Sequence, residues 1–125
     1  MLTHVLHTGV EVADLAQAID LYKGLGFEIV NQFDKPEPKA KVATVKKGDT
    51  AFELWQFEDK THPQVAFIRN HIAMYSDDLD SDVQRLVTQW YALVIPITEG
   101  VIMRYAFVQD AAGTCYEIAT EKEKS

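Results

Sequence analysis

Four residues of this 125-residue chain have the types and spacing of a metal site: His7, Glu53, His71 and Glu117. The two histidines and the two glutamates are separated by one common offset: 71 − 7 = 64 and 117 − 53 = 64. The same shift carries Asp14-Leu15 onto Asp78-Leu79, Ile19 onto Val83, and Phe52 onto Tyr116. Two copies of one supersecondary unit would then each present one imidazole and one carboxylate from equivalent places. Donors of this N/O kind bind divalent first-row ions, and Ni, Co, Zn and Mn all suit them. The pattern therefore points to one divalent metal ion held by His7, Glu53, His71 and Glu117.

The elements that must position these donors follow from periodicity. Val5 to Val12 alternates as a strand does. Asp14, with Gln17 three residues on, starts a helix as a capping box does. Leu15, Ala18, Ile19 and Tyr22 form its apolar face, and Gly24 and Gly26 mark its end. Phe27 to Val30 reads as a strand and Asn31 to Ala40, with Pro36 and Pro38, as a loop. Lys41–Lys47, the turn Gly48-Asp49 and Ala51–Phe57 make a hairpin. The order repeats. Asn70–Tyr75 is a strand, and Asp78 caps a helix whose apolar face is Leu79, Val83, Leu86, Val87 and Trp90. Leu93–Ile95, Val101–Gln109 and Thr114–Thr120 are strands, and the charged residues from Glu121 to Ser125 are a tail. The fold class is α+β: one domain over 1–125 built of two βαβββ modules in tandem, about 4–57 and 69–120.

Strand alternation turns spacing into a face. His7 shares a side with Glu11, and Glu53 with Trp55 and Phe57. His71 shares a side with Tyr75, and Glu117 with Cys115. The opposite sides (Leu6, Val10, Val12; Phe52, Leu54; Ile72, Met74; Tyr116, Ile118) are apolar and belong under the helices. The ligand side is then the concave, open one. Glu11, Trp55, Phe57, Tyr75 and Arg104 are the candidate pocket residues. His4 and His62 have no repeat partner and read as surface residues.

Composition narrows the class. Hydrophobic residues make up 47% and charged residues 25%, ordinary for a soluble globular protein. A net charge of −7 argues against a nucleic-acid partner, which needs a basic surface. No apolar run approaches the roughly 20 residues of a membrane span, and the N-terminal stretch lacks a secretory leader's apolar core. The single cysteine, Cys115, excludes an intrachain disulfide and fits a cytoplasmic location.

The chain resembles the vicinal-oxygen-chelate superfamily of glyoxalase I, bleomycin-resistance proteins and extradiol dioxygenases. The resemblance covers about Val5 to Thr120 and is closest to glyoxalase-I-like proteins. It rests on His7-Thr8, Val12-Ala13-Asp14-Leu15, Leu21-Tyr22, Leu25-Gly26-Phe27, Phe52-Glu53-Leu54, His71-Ile72-Ala73 and Gly113-Thr114-Cys115-Tyr116-Glu117-Ile118. It implies a site of two histidines, two carboxylates and exchangeable waters. There a metal ion stabilises charge developing on a substrate that loses a proton beside its carbonyl. It further implies Glu117 as the base, with Glu53 as its partner, and a homodimer whose sites take His7 and Glu53 from one chain and His71 and Glu117 from the other.

The implied activity is that of a glyoxalase-like lyase or isomerase of a small chelating substrate. The alternatives are an epimerase of the methylmalonyl-CoA type, or a non-catalytic binder of the resistance type. The resemblance breaks where glutathione-using members carry an arginine four residues after the first histidine; here stands Glu11. Glu11 on the ligand side would repel a glutathione carboxylate about 4 Å away by roughly 4 kcal/mol at an effective dielectric near 20, so the site is not expected to suit glutathione adducts.

Overall fold

Asp14 does what its position predicts: its carboxylate accepts from the Gln17 amide at 3.1 Å and opens helix α1 (Leu15–Gly24). The Leu15 amide donates to Gln56 Oε1 at 2.7 Å, which ties the helix start to the sheet beneath. Asp78 repeats the cap, accepting from the Ser81 amide at 3.3 Å ahead of the second long helix, Leu79–Thr88. The computed structural model describes residues 1–122; residues 123–125 of the expected tail lie outside the described residues. Glu121, assigned to that tail, instead closes the last strand.

The described residues form eight strands and three helices. They are β1 (Leu2–Glu11), α1, β2 (Glu28–Pro36), β3 (Lys39–Lys47), β4 (Thr50–Phe57), a short α2 (Val65–Ile68), β5 (Asn70–Ser76), α3 (Leu79–Thr88), β6 (Ala92–Glu99), β7 (Met103–Gln109) and β8 (Cys115–Glu121). This is the expected α+β order of two βαβββ modules, with α2 added in the segment between them. None of these helices is long and apolar enough to cross a membrane.

The chain divides into two compact units. In the unit His7–Asn70 the strands run β2-β3-β4-β1, with β1 parallel to β4 and the rest antiparallel. Helix α1 lies on β2, β3 and β4. Leu15 and Ile19 of the helix meet Ala43, Val45 and Leu54 of the sheet, with Val10, Val12, Tyr22 and Phe52 packed around them. In the other unit the strands run β5-β8-β7-β6, with α3 on β6, β7 and β8. Leu79 and Val83 meet Ala106 and Ile118, flanked by Met74, Leu86 and Tyr116. Burying such a side chain is worth about 1.5–3 kcal/mol. That term fixes which face of each strand turns inward, because a slip of one residue would expose the whole set.

Three expectations change. Met1–Leu6 belong with the second unit, although 4–6 were expected in the first module. The cause is packing: Leu2 joins the core of Leu79, Val83, Ala106 and Ile118. The expected loop over 31–40 is instead strand through Pro36, and β3 restarts at Lys39. Pro36 is tolerated because β2 is an edge strand, where a missing N–H breaks no ladder. Finally, Trp90 is not on the α3 face. The helix ends at Thr88, and Trp90 is 94% exposed at φ 76°.

Candidate functional site

The parallel register places each His–Glu pair. Gly9 lies opposite Glu53 on β1 and β4, and Ala73 lies opposite Glu117 on β5 and β8. Each histidine is two residues before that glycine or alanine, on the same face, and so a diagonal neighbour of its glutamate. The two registers are related by the same shift as the sequence repeat: Thr8↔Phe52 becomes Ile72↔Tyr116.

In the first unit, His7 Nε2 is 3.3 Å from Glu53 Oε1, and both side chains are 13% exposed. Trp55 Nε1 donates to the same Oε1 at 2.8 Å, and the indole stacks on Phe57 with centroids 5.5 Å apart. Glu53, Trp55 and Phe57 therefore share a face as alternation requires. Across the sheet, Thr44 lies opposite Glu53 and Asn31 opposite Thr44. In the second unit, His71 Nε2 is 3.2 Å from Glu117 Oε1. The imidazole is closed off by Phe107, whose ring meets it edge-on at 4.9 Å, and Tyr105 meets Phe107 in turn at 5.7 Å.

Each pair fits as part of a metal's coordination sphere. Ligands about 2.1 Å from an ion sit roughly 3.0 Å apart at right angles and roughly 3.4 Å apart in a tetrahedron. The separations of 3.3 and 3.2 Å fall in that window. The donor types of His7, Glu53, His71 and Glu117 are those that could hold a metal ion.

The other candidates fare differently. Glu11 is held at 3.1 Å by Arg69 and lies 3.8 Å from the Lys60 ammonium. Two cations offset its charge, so the repulsion of a glutathione carboxylate expected from a bare Glu11 loses its basis. Arg104 is a correction. It contacts Asp80 at 3.5 Å and Glu99 at 3.1 Å, and its neighbour Ala106, two residues on, is in the core under α3. Arg104 thus lies on the helix side of β7, opposite to the face that Phe107 shares with Glu117. Tyr75 keeps to the His71 face but donates its hydroxyl to Glu121, which, as the leading cause, raises the phenol above its ordinary range. Its ring stacks on His4. His62 meets Glu37 at 3.2 Å. Burial, and then Asp110, push the Cys115 thiol up, which disfavours the nucleophilic thiolate.

Sequence patterning does not single out Thr44, Phe107, Tyr105 or Asn31. Thr44 was within reach: counting back from the turn at Gly48-Asp49 sets Thr50 against Lys47 and hence Glu53 against Thr44.

A family model for the Glyoxalase/Bleomycin resistance protein/Dioxygenase superfamily matches residues 4–118. The chain belongs to that superfamily. Solved structures with the same fold include methylmalonyl-CoA epimerase from Mycobacterium tuberculosis. It is 24% identical, covers 98% of this chain and 90% of its own, and has a TM-score of 0.82. A Streptomyces coelicolor methylmalonyl-CoA epimerase variant in complex with 2-nitronate-propionyl-CoA is 21% identical, with coverage of 98% and 100% and a TM-score of 0.84. A hypothetical protein from Bacillus halodurans is 20% identical, with coverage of 97% and 96% and a TM-score of 0.80. No curated protein matches.

Proposed function

We propose that this superfamily member is a metal-dependent isomerase that moves a proton on the carbon beside a carbonyl of a small chelating substrate. An epimerase of an acyl thioester is the first form of that reading. The observation that carries it is the pair of equivalent His–Glu contacts, 3.3 Å in one unit and 3.2 Å in the other. Among proteins of the same fold, one methylmalonyl-CoA epimerase is solved in complex with methylmalonyl-CoA.

In this reading His7, Glu53, His71 and Glu117 together hold one divalent ion. When bound, the ion draws electron density from the substrate carbonyl and so acidifies the neighbouring C–H. Glu117 takes that proton onto its carboxylate. Its place beside His71 and Phe107 keeps bulk water from competing for the proton. Glu53 returns a proton from the opposite side, and Trp55 orients its carboxylate for this. Return to the same carbon inverts it, which is epimerisation. Return to the adjacent carbon is the glyoxalase-like outcome, which shares every residue role. The protein acts in this reading as a cytoplasmic homodimer.

The test is elemental analysis of purified protein followed by NMR in D2O. Methylmalonyl-CoA and a methylglyoxal–thiol adduct are offered in turn. Deuterium entering the α-carbon, and lost in Glu117→Gln, is the expected result. Protein that takes up none of Ni²⁺, Co²⁺, Zn²⁺ or Mn²⁺, and exchanges no proton on either substrate, would refute the proposal. Mixing His7→Ala with Glu117→Ala chains reports how the pairs combine. Recovery of half the sites means that pairs are shared between chains, and no recovery means that each chain builds its own.

A further inference from the structure

We propose that Asn31 is a substrate-anchoring residue, accepting a hydrogen bond from an amide N–H on the arm of the substrate. The inference rests on the reading of the Glu53 face as the reacting face.

Its basis is a break in the β2–β3 ladder. Ile29 lies opposite Val45, yet the next partner of Thr44 is Asn31, not Val30. One extra residue, Val30, has been inserted, and it points to solvent. Without that insertion, regular alternation would turn Val30 towards the Glu53 face and Asn31 towards the apolar helix side beside Ile29. The bulge reverses this and sets Asn31 in one row with Thr44 and Glu53. Bulges re-aim side chains in this way next to sites of function.

The second observation concerns the amide itself. Asn31 Oδ1 is shielded from solvent and accepts no hydrogen bond within the protein. A buried acceptor left in this state is costly, and native structures rarely keep one without a use. The terminal torsion of an asparagine is soft, so the amide turns readily to meet a donor.

Spacing then specifies the ligand. Asn31 is two strands from Glu53, roughly 10 Å at about 4.8 Å per strand. That is too far for Asn31 to join a metal held at Glu53. It suits a group some four bonds out from a chelated carbonyl. A thioester of a cysteamine-type arm carries its first amide N–H at that reach. A ligand that supplies a donor there relieves the stranded acceptor, and a ligand without one does not.

The test compares two methylmalonyl thioesters, one of N-acetylcysteamine and one with that amide N-methylated. Wild type is expected to show a KM about tenfold lower for the N–H substrate, with kcat alike. Asn31→Leu should lose that preference, its KM for the N–H substrate rising to that for the N-methyl form, while metal content is retained. Because Leu at this site could disturb folding, the Asn31 side-chain NH2 resonances of wild type are followed by NMR as a non-reacting N–H thioester is added. They should shift with it and not with the N-methyl form. Turnover with no N–H preference and unmoved Asn31 resonances overturns the anchoring role and leaves the isomerase reading standing. Shifted resonances without any α-proton exchange support the anchor and sink the isomerase reading.

Discussion

Trp90→Gly should make the protein more stable, although it deletes a large aromatic side chain. Helices α1 and α3 end in the same hydrogen-bonded pattern, at positions that the sequence repeat makes equivalent. The Gly26 and Phe27 amides donate to the Lys23 and Tyr22 carbonyls at 3.0 and 3.0 Å, and those of Trp90 and Tyr91 to Val87 and Leu86 at 3.3 and 3.1 Å. This Schellman-type ending needs a left-handed residue after the cap. Gly26 supplies it at φ 93°, and Trp90 is forced into it at φ 76°. A left-handed L-residue costs about 1–2 kcal/mol, and glycine gives back about 0.5–1 kcal/mol through its freer unfolded chain. The indole is 94% exposed, so almost no burial is lost. The net expectation is a gain of about 0.5–1 kcal/mol, or roughly 2–5 °C in Tm for a chain of this size. Urea titration with an unchanged m-value, beside thermal melts, measures it. Trp90→Ala is the control, because its Cβ retains the left-handed penalty and it should stay near wild type. Equal gains in the two variants would mean that removing an exposed indole, and not relief of the backbone, is the cause.

Two further outcomes are expected. Trp55→Phe keeps the stack on Phe57 but removes the N–H that holds Glu53 Oε1, so metal affinity should fall about 10- to 100-fold, beside some loss of metal-free stability from shrinking a buried ring; competition against a chromophoric chelator reads the affinity, and an unchanged Kd would show that this hydrogen bond does not orient the ligand. Asp82 is 1% exposed; burial pushes its carboxyl up, but the Ser76 hydroxyl, the Met1 ammonium and Arg85 outweigh this and hold it below its ordinary value. A depressed carboxylate adds stability above the unfolded-state pKa near 4 and loses it as pH falls through the folded value. Asp82→Asn should therefore lose roughly 2–4 kcal/mol at pH 7 and show a flatter decline below about pH 4. Parallel unfolding curves for the two proteins from pH 7 to 2.5 would contradict the assignment.

Much of this protein is written in the spacing of its residues. The common offset of the repeat is enough to pair His7 with Glu53 and His71 with Glu117 as equivalent sets. Residue type and periodicity add the caps at Asp14 and Asp78, the helix faces of Leu15 and Leu79, and the apolar strand sides of Leu54 and Ile118, which the two cores contain. These features are local or periodic, and a period of 2 or 3.6 survives in a linear string. The repeat also sets Trp90 in the place of Gly26, yet helical periodicity assigns it to the α3 face, and only the folded chain shows its left-handed backbone.

What needed the folded chain was everything set by partners distant in sequence. Nothing local in the strand 101–109 sets the side on which Arg104 lies, and only Ala106 packing under α3 decides it. Glu11 looks like a bare charge until Arg69, far along the chain, is found beside it. Asn31 reads as loop because two prolines follow it. Strand pairing with β3, and the one-residue bulge at Val30, are long-range hydrogen-bond choices that no local pattern encodes. Type and period are carried by the sequence itself, whereas face, charge partner and register at a bulge are settled only when strands far apart in the chain meet.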